Sequence, residues 1–247
     1  MRVVLDDLPT RAEREPVVSA GKGGDDTTAI DAEAERVILE RFSGLDATVI
    51  SEEVGTRGDG RWRVVVDPID GSLNAKRGIP FFSLSIAVAD GDSMGDVEFA
   101  FVHDFGSGEE WTARRGEGAL LNGKPLGPQR PKDRIEILSF EATLTAEVAD
   151  KAAAFTGVAY RLRIMGSLAL SLCHLAAGRV DAVCSLKPYR SVDVAAAQLL
   201  VREQGLVVEN ADGGAFLEAP LDLVARSRIV AAGTDELCQL VIRGLSA

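Results

Sequence analysis

Histidine, cysteine and aromatic residues are scarce in this chain, and each shortage argues against a class of chemistry. Only two histidines, His103 and His174, occur in 247 residues. His174 lies within the apolar stretch LALSLCHLAAG, a setting for a packed imidazole rather than a general base. A histidine-based phosphatase or a triad hydrolase is therefore disfavoured. The three cysteines, Cys173, Cys184 and Cys238, are widely spaced, odd in number and form no CxxC pair, which argues against a disulfide framework or zinc site and for buried small hydrophobes. Aromatic residues make up 5% of the chain, leaving little to stack a nucleobase. No apolar run approaches the roughly 20 residues that span a bilayer, and there is no N-terminal signal pattern. A soluble, cytoplasmic protein with no membrane partner is expected. Acids outnumber bases 38 to 27, for a net charge of −11. That argues against sequence-independent nucleic-acid binding, while a local basic pocket for a phosphorylated small molecule stays open. What remains is 46% hydrophobic and 26% charged, a globular composition long enough for one large domain or two closely packed lobes.

One stretch concentrates chemistry. In RWRVVVDPIDGSLN, Arg61 to Asn74, the run Val64–Val66 suits a strand buried on both faces, and Pro68 predicts its end at Asp67 because proline has no N–H for the ladder. Asp70, Gly71 and Ser72 then combine a carboxylate, a residue free to take unusual dihedrals and a candidate helix N-cap. Two carboxylates about 4 Å apart repel by about 4 kcal/mol at an effective dielectric of about 20. A cluster of them therefore calls for a cation, and oxygen ligands without His or Cys suit Mg²⁺. Asp-Pro and Asp-Gly also shape ordinary turns, and these residues alone do not separate the two readings.

The opening segment, Met1 to Gly24, is charged, broken by Pro9 and Pro16, and ends in the flexible GKGG of residues 21–24. From Thr28 the apolar spacing of Ile30, Ala34, Val37, Ile38 and Phe42 predicts a helix to about Phe42, and Thr28-Ala-Ile-Asp31 resembles a capping box. Asp31 has a ready role there, opposing the helix dipole. A strand over Ala47 to Ile50 places Glu52 just past its end. If it lies beside the Val64–Val66 strand, Glu52 and Asp67 emerge together. Strands over Phe82 to Ala89, Asp96 to His103 and Glu110 to Ala113, with turns at Gly91 and Gly106 to Gly108, predict an antiparallel meander, and Asn122-Gly123 a hairpin. The second half alternates strands and helices. Asp193 opens an apolar helix that stops at Gly205, and Leu237, Leu240, Val241 and Leu245 share a face of a last helix. Two subdomains sharing a cleft near Pro125 to Asp133 are expected.

DPIDGSLN at Asp67 to Asn74, SEE at Ser51 to Glu53, VDVAAA at Val192 to Ala197, TAID at Thr28 to Asp31, GALLNG at Gly118 to Gly123 and GSLALSLCHLAAGRVDA at Gly166 to Ala182 together resemble the inositol monophosphatase and fructose-bisphosphatase superfamily of metal-dependent phosphatases. The likeness runs from about Lys22 to the C-terminus and is greatest to the archaeal branch, whose members often accept both inositol monophosphates and fructose 1,6-bisphosphate. It implies an α/β (α+β) αβαβα layered sandwich, with subdomains of about 1–130 and 131–247, and Asp193 returning to the metal site from the second. It implies two or three Mg²⁺ ions, with Mn²⁺ as a substitute. Glu52, Asp67 and the Ile69 carbonyl would hold one ion, Asp67, Asp70 and Asp193 a second, and Asp31 would assist a third. Gly71 and Ser72 would meet the phosphate, and Gly166 and Ser167 the substrate. Ser72 would help orient the attacking water, and Glu52, acting through Ser72 or with the Asp31–Thr28 pair, would accept its proton for in-line attack. A homodimer is the family's usual assembly.

Three positions depart from that pattern. Leu186 stands where inositol-specific members carry a ring-contacting glutamate, Val192 replaces the usual tryptophan, and the N-terminal segment is short. Lys187 and Arg190 place positive charge nearby, where an arginine could clasp a second phosphate. A solvated basic turn explains them equally well. The expected activity is Mg²⁺-dependent phosphomonoester hydrolysis of inositol 1-phosphate or fructose 1,6-bisphosphate. The alternatives are a 3′-phosphoadenosine phosphate or NADP(H) phosphatase, and a catalytically weak regulatory or protein-binding scaffold.

Overall fold

A computed structural model of the chain describes residues 2–22, 26–130, 132–141 and 144–247; of the expected 21–24 loop, residues 23 and 24 lie outside this set. The N-terminal segment forms α1 (Arg2–Asp7), α2 (Arg11–Arg14) and β1 (Val17–Ala20), the last pairing antiparallel with β2 (Asp26–Thr28). Among its described residues the deep anchor is Val4, buried with Ile30, Ile69 and Phe82 under the site described below. Helix α3 (Ala29–Phe42) starts at Thr28, whose N–H donates to Asp31 Oδ2 at 3.2 Å. The capping box is therefore present as expected.

Next come β3 (Ala47–Ser51), β4 (Gly55–Arg57), β5 (Trp62–Asp70), the short α4 (Ser72–Arg77), β6 (Ser83–Ala89), β7 (Val97–Asp104), β8 (Glu110–Arg114), β9 (Gly118–Leu121) and β10 (Lys124–Pro125). These strands form one eight-stranded sheet in the order β10-β9-β8-β7-β6-β5-β3-β4, and the predicted meander is its β6–β8 portion. Asn122 and Gly123 both have positive φ, 52° and 72°, as a two-residue hairpin turn requires. Strand β5 is covered on both faces. Val64 and Val66 meet Ile38, Leu39 and Phe42 of α3, while Val65 belongs to the core on the other side.

The expected end of this strand at Asp67 is corrected: β5 runs through Pro68 to Asp70. Asp67 pairs with Ser85 and Asp70 with Ser83, so one strand advances three residues while its partner advances two. The extra residue makes a bulge, which takes the proline out of the ladder without ending the strand. Ser72 is likewise not the cap of α4. Gly71 holds that position at φ +94°, a conformation a side chain adopts only with strain.

The second half contributes β11 (Ile135–Glu141), α5 (Thr145–Ala152), β12 (Ala159–Arg163), α6 (Leu168–Ala176), β13 (Ala182–Ser185), α7 (Ser191–Glu203), β14 (Val207–Asn210), β15 (Ile229–Ala232) and α8 (Asp235–Ser246). Its sheet has the order β12-β11-β13-β15-β14, parallel across β12-β11-β13 and antiparallel beyond. Helices α6 and α7 lie between the two sheets. Helix α7 is buried on every side from Val194 to Val201, and its run of three alanines lets it approach β5 to β8 closely. Leu237, Val241 and Leu245 of α8 cover the outer face of the second sheet, where Cys184 and Cys238 are also buried. The layers read αβαβα, as expected. The described residues of the connection between the sheets, 126–130 and 132–134, supply no wall of the cavity between the halves. That cavity opens instead at strand ends and helix starts.

Candidate active site

The β3–β5 register fixes the first pair of acids. These strands run parallel with Ser51 opposite Val66, so Glu52, one residue past the end of β3, stands beside Asp67, which stays paired with Ser85. The bulge then carries Asp70 back into the ladder beside Ser83. Helix α7 brings Asp193 at the third position of its first turn, where Asp193 Oδ2 accepts the Arg190 N–H at 2.6 Å.

Each carboxylate is held differently. Asp67 Oδ1 accepts the Ile69 N–H at 3.0 Å, a bond made within the bulge. Asp70 Oδ2 accepts the Ser167 hydroxyl and the Ala169 N–H, at 2.5 and 2.7 Å, at the start of α6. Its other oxygen is left for different chemistry. The α6 start comes close because Gly71 and Gly166 face each other. A Cβ on Gly71 would stand 3.0 Å from the Gly166 carbonyl, and both glycines have positive φ. Glu52 and Asp193 are bridged by Arg190: Nη1 donates to Glu52 Oε1 and Nη2 to Asp193 Oδ1, the latter at 2.9 Å. The three side chains are only 12 to 15% exposed.

Burial raises the affinity of these groups for protons. It pushes Glu52 up to about 8, against the pull of Arg190 and with Asp193 and Glu53 adding repulsion. It pushes Asp70 up to about 7, opposed by the Ser167 hydrogen bond. Asp67 rises well above the usual carboxylate range through burial and then through Glu52, Asp70 and Asp193. Burial and mutual repulsion outweigh the pull of Arg190 here, and the all-oxygen donor set suits a hard divalent cation. Asp31 adds a second sign: its Oδ2 is spent on Thr28, while Oδ1 is buried without a partner. Among the described residues, no group of three acidic, histidine or cysteine side chains is already drawn together as a ligand set. The donor chemistry fits a metal centre, with Arg190 supplying the positive charge among the acids.

The acids border a cavity of about 590 Å³, within the usual size of a small-molecule site. Of the expected site residues, Asp31, Glu52, Asp67, Ile69, Asp70, Gly71, Ser72, Gly166, Lys187, Arg190 and Asp193 line it. Thr28 and Ser167 stand one hydrogen bond behind, on Asp31 and Asp70. The Ser72 hydroxyl donates to the Ile69 carbonyl at 2.9 Å, so two of the expected contacts are joined to each other. Arg190 turns inward onto Glu52 and Asp193 rather than lying along the cavity as a solvated turn would, because two buried carboxylates attract it. Leu186 packs against the core of the second sheet. His174 sits between Phe81 and Trp111, away from the cavity.

Sequence reading missed Lys76, Glu141, Tyr189 and Arg226, which also line the cavity. Glu141 ends β11 opposite Ser185. Its Oε1 accepts the Ser139 and Ser171 hydroxyls at 2.9 and 2.6 Å, and its Oε2 accepts the Gly166 N–H at 3.0 Å. The signal for it was an acid closing an apolar strand, the same pattern that marked Glu52. Arg226 lies in an irregular loop and carried no such signal.

Comparison with known proteins accords with this geometry. The family model described as "Inositol monophosphatase family" matches residues 3–246. A fructose-1,6-bisphosphatase/inositol-1-monophosphatase of Methanothermobacter thermautotrophicus is 36% identical over 246 residues, 93% of this chain and 86% of that protein. A protein of Salmonella typhimurium named Nus factor SuhB is 36% identical over 80% of this chain and 77% of its own length. A solved inositol monophosphatase–fructose 1,6-bisphosphatase superposes with a TM-score of 0.86 at 27% identity, covering 98% of this chain and 95% of the other. An inositol monophosphatase of Thermotoga maritima superposes at 0.79 with 25% identity, covering 99% and 93%. With the family model spanning nearly the whole chain and this fold in common, the chain belongs to the inositol monophosphatase family.

Proposed function

We propose that this phosphate-monoester hydrolase acts on small sugar or cyclitol phosphates, inositol 1-phosphate and fructose 1,6-bisphosphate among them, with Mg²⁺ in its carboxylate cluster. The observation that carries the reading is the convergence of Glu52, Asp67, Asp70 and Asp193 on one cavity whose lining also includes Lys76, Lys187 and Arg226. When bound, the cations supply charge neutralisation for the phosphoryl group and acidify a water molecule. Glu52, Asp67, Asp70 and Asp193 would hold two ions, with Asp31 beside a third through its unpartnered oxygen.

The chain's own groups do the positioning. Asp70 keeps one oxygen on Ser167 and Ala169 and offers the other to the cavity. The Gly71–Ser72 backbone opens α4 at the cavity edge, where N–H groups without helical partners face an anion. The Ser72 hydroxyl, now on the Ile69 carbonyl, would orient the attacking water, and Glu52 would accept its proton. Glu141 fixes the Gly166 turn and so the start of α6. A second phosphate would be met at Lys187 and Arg226, both exposed on the cavity wall.

A nucleotide substrate is less well supported. Tyr189 is the one aromatic ring in the lining, and it is buried with its hydroxyl bonded to Asn210. The scaffold reading draws on the likeness to proteins named Nus factor SuhB, but four mutually repelling acids, Asp67 and Asp70 buried and Glu52 and Asp193 largely so, argue against it. Phosphate release from inositol 1-phosphate, fructose 1,6-bisphosphate, 3′-phosphoadenosine 5′-phosphate and NADP⁺, with Mg²⁺, Mn²⁺ and chelator, tests the reading. Release from the first two only with a divalent ion is expected; no release at any metal concentration overturns it. Sedimentation would test the proposed homodimer.

A further inference from the structure

We infer that Arg190 is the resident counter-cation of the carboxylate cluster: its guanidinium holds Glu52 and Asp193 together when no divalent ion is bound, and yields its place when one enters. This rests on the metal-dependent reading above.

Arg190 occupies the cap position of α7, and its side chain folds back over the first turn of its own helix. One arm reaches Glu52 and the other, with Nε, reaches Asp193. Glu52 follows β3 in the first sheet, 138 residues away in sequence. One cation thus ties the two sides of the cavity through acids that would otherwise repel each other. A guanidinium does not lose its proton in proteins, so its charge stays there at every working pH. Mg²⁺ demands near-ideal octahedral geometry with oxygens at about 2.0–2.1 Å. It cannot share Glu52 Oε1 or the two Asp193 oxygens with hydrogen bonds pointing at the same lone pairs.

The neighbouring acids show that this arrangement is specific. Asp67 accepts from the Ile69 N–H, and Asp70 from the Ser167 hydroxyl and the Ala169 N–H, all uncharged. Arg190 touches the Asp67 field only through space. Among the described residues, the exchange centres on the Glu52–Asp193 pair. Two consequences follow: the site stays assembled without metal, and metal affinity is set partly by a competitor as well as by the number of ligands.

Magnesium titration calorimetry on the chelator-stripped full-length protein, with thermal melts in chelator and in saturating Mg²⁺, tests the exchange in wild type, Arg190→Gln and Arg190→Lys. Removing the competitor is expected to tighten the Mg²⁺ Kd of Arg190→Gln by about fivefold or more, the lower end of ordinary coupling between sites. Its Tm should fall below wild type in chelator and return to wild type in saturating Mg²⁺. Arg190→Lys, which keeps the charge without the two-armed fork, should fall between. A folded Arg190→Gln whose Kd is unchanged or weaker, or whose Tm deficit persists in saturating Mg²⁺, overturns the exchange. If Arg190→Gln fails to fold, Arg190→Lys decides by the same criteria. A wild-type protein that neither binds Mg²⁺ nor releases phosphate overturns the phosphatase reading itself. Wild-type binding and turnover with an unmoved variant Kd overturns the exchange alone.

Discussion

Asp67 and Asp70 are held by neutral donors, whereas Glu52 and Asp193 are held by a charge. The first pair sits on a bulged strand end, where the Ile69 N–H, the Ser167 hydroxyl and the Ala169 N–H fix each side chain. Those bonds are compatible with a cation on the opposite oxygens. The second pair comes from separate parts of the fold, and Arg190 draws it together. A template that is rigid on one side and exchangeable on the other can order its substrate and still release its ions.

The comparison is broken most severely by removing a charge from each pair. Asp67→Asn and Asp193→Asn are both expected to lower kcat by about 10³-fold or more while circular dichroism stays native, since each residue belongs to a set that acts as a unit. Near-normal turnover in either would remove that residue from the site.

Withholding metal should expose the next largest effect. Glu52 and Asp70 bind protons more tightly in the native protein, near pH 8 and 7, than in the unfolded chain, near 4.5 and 3.8. The stability they contribute is complete below about pH 4 and is lost as pH rises through about 7 and then 8. Urea denaturation in chelator should therefore give a lower midpoint at pH 9 than at pH 6, and saturating Mg²⁺ should flatten the dependence. A chelator-treated protein equally stable at both values would show that the pairs need no cation.

Ser167→Ala sharpens the comparison on the rigid side. It removes one of two donors to Asp70 Oδ2 and should cost about 1–2 kcal/mol in denaturant titration, together with about a tenfold loss of kcat from a loosened carboxylate. Unchanged kcat would show that the Ala169 N–H alone positions Asp70. Lys187→Ala touches neither pair. It is expected to raise KM for a bisphosphate about threefold and leave the monophosphate KM unmoved, as for one exposed ionic contact. An equal change for both substrates would place Lys187 on the reacting phosphate instead.

Much of the site was legible before any coordinates. Apolar runs closed by acids located Glu52 and Asp67, and Thr28 with Asp31 announced a helix start. Three things were not legible. Proline was read as a strand stop, but a bulge accommodates Pro68 because the extra residue leaves the ladder. Ser72 was read as the cap of α4, yet the backbone there needs a left-handed residue and Gly71 takes the place. Arg190 and Lys187 were read together as a basic turn or phosphate clasp, but only Arg190 has two buried acids within reach.

By itself the sequence determined many strand ends and helix starts, those at Asp67 and Ser72 excepted, because alternation, proline, glycine and capping pairs act over a few residues. It also determined that the acids would be many and the histidines few, which pointed to an oxygen-ligated cation. The tertiary structure alone decided which acid faces which donor. The Asp70 bond to Ser167 closes over 97 residues and the Glu52 bond to Arg190 over 138. Such partnerships depend on how two sheets pack about α6 and α7, a choice made by burial over the whole chain.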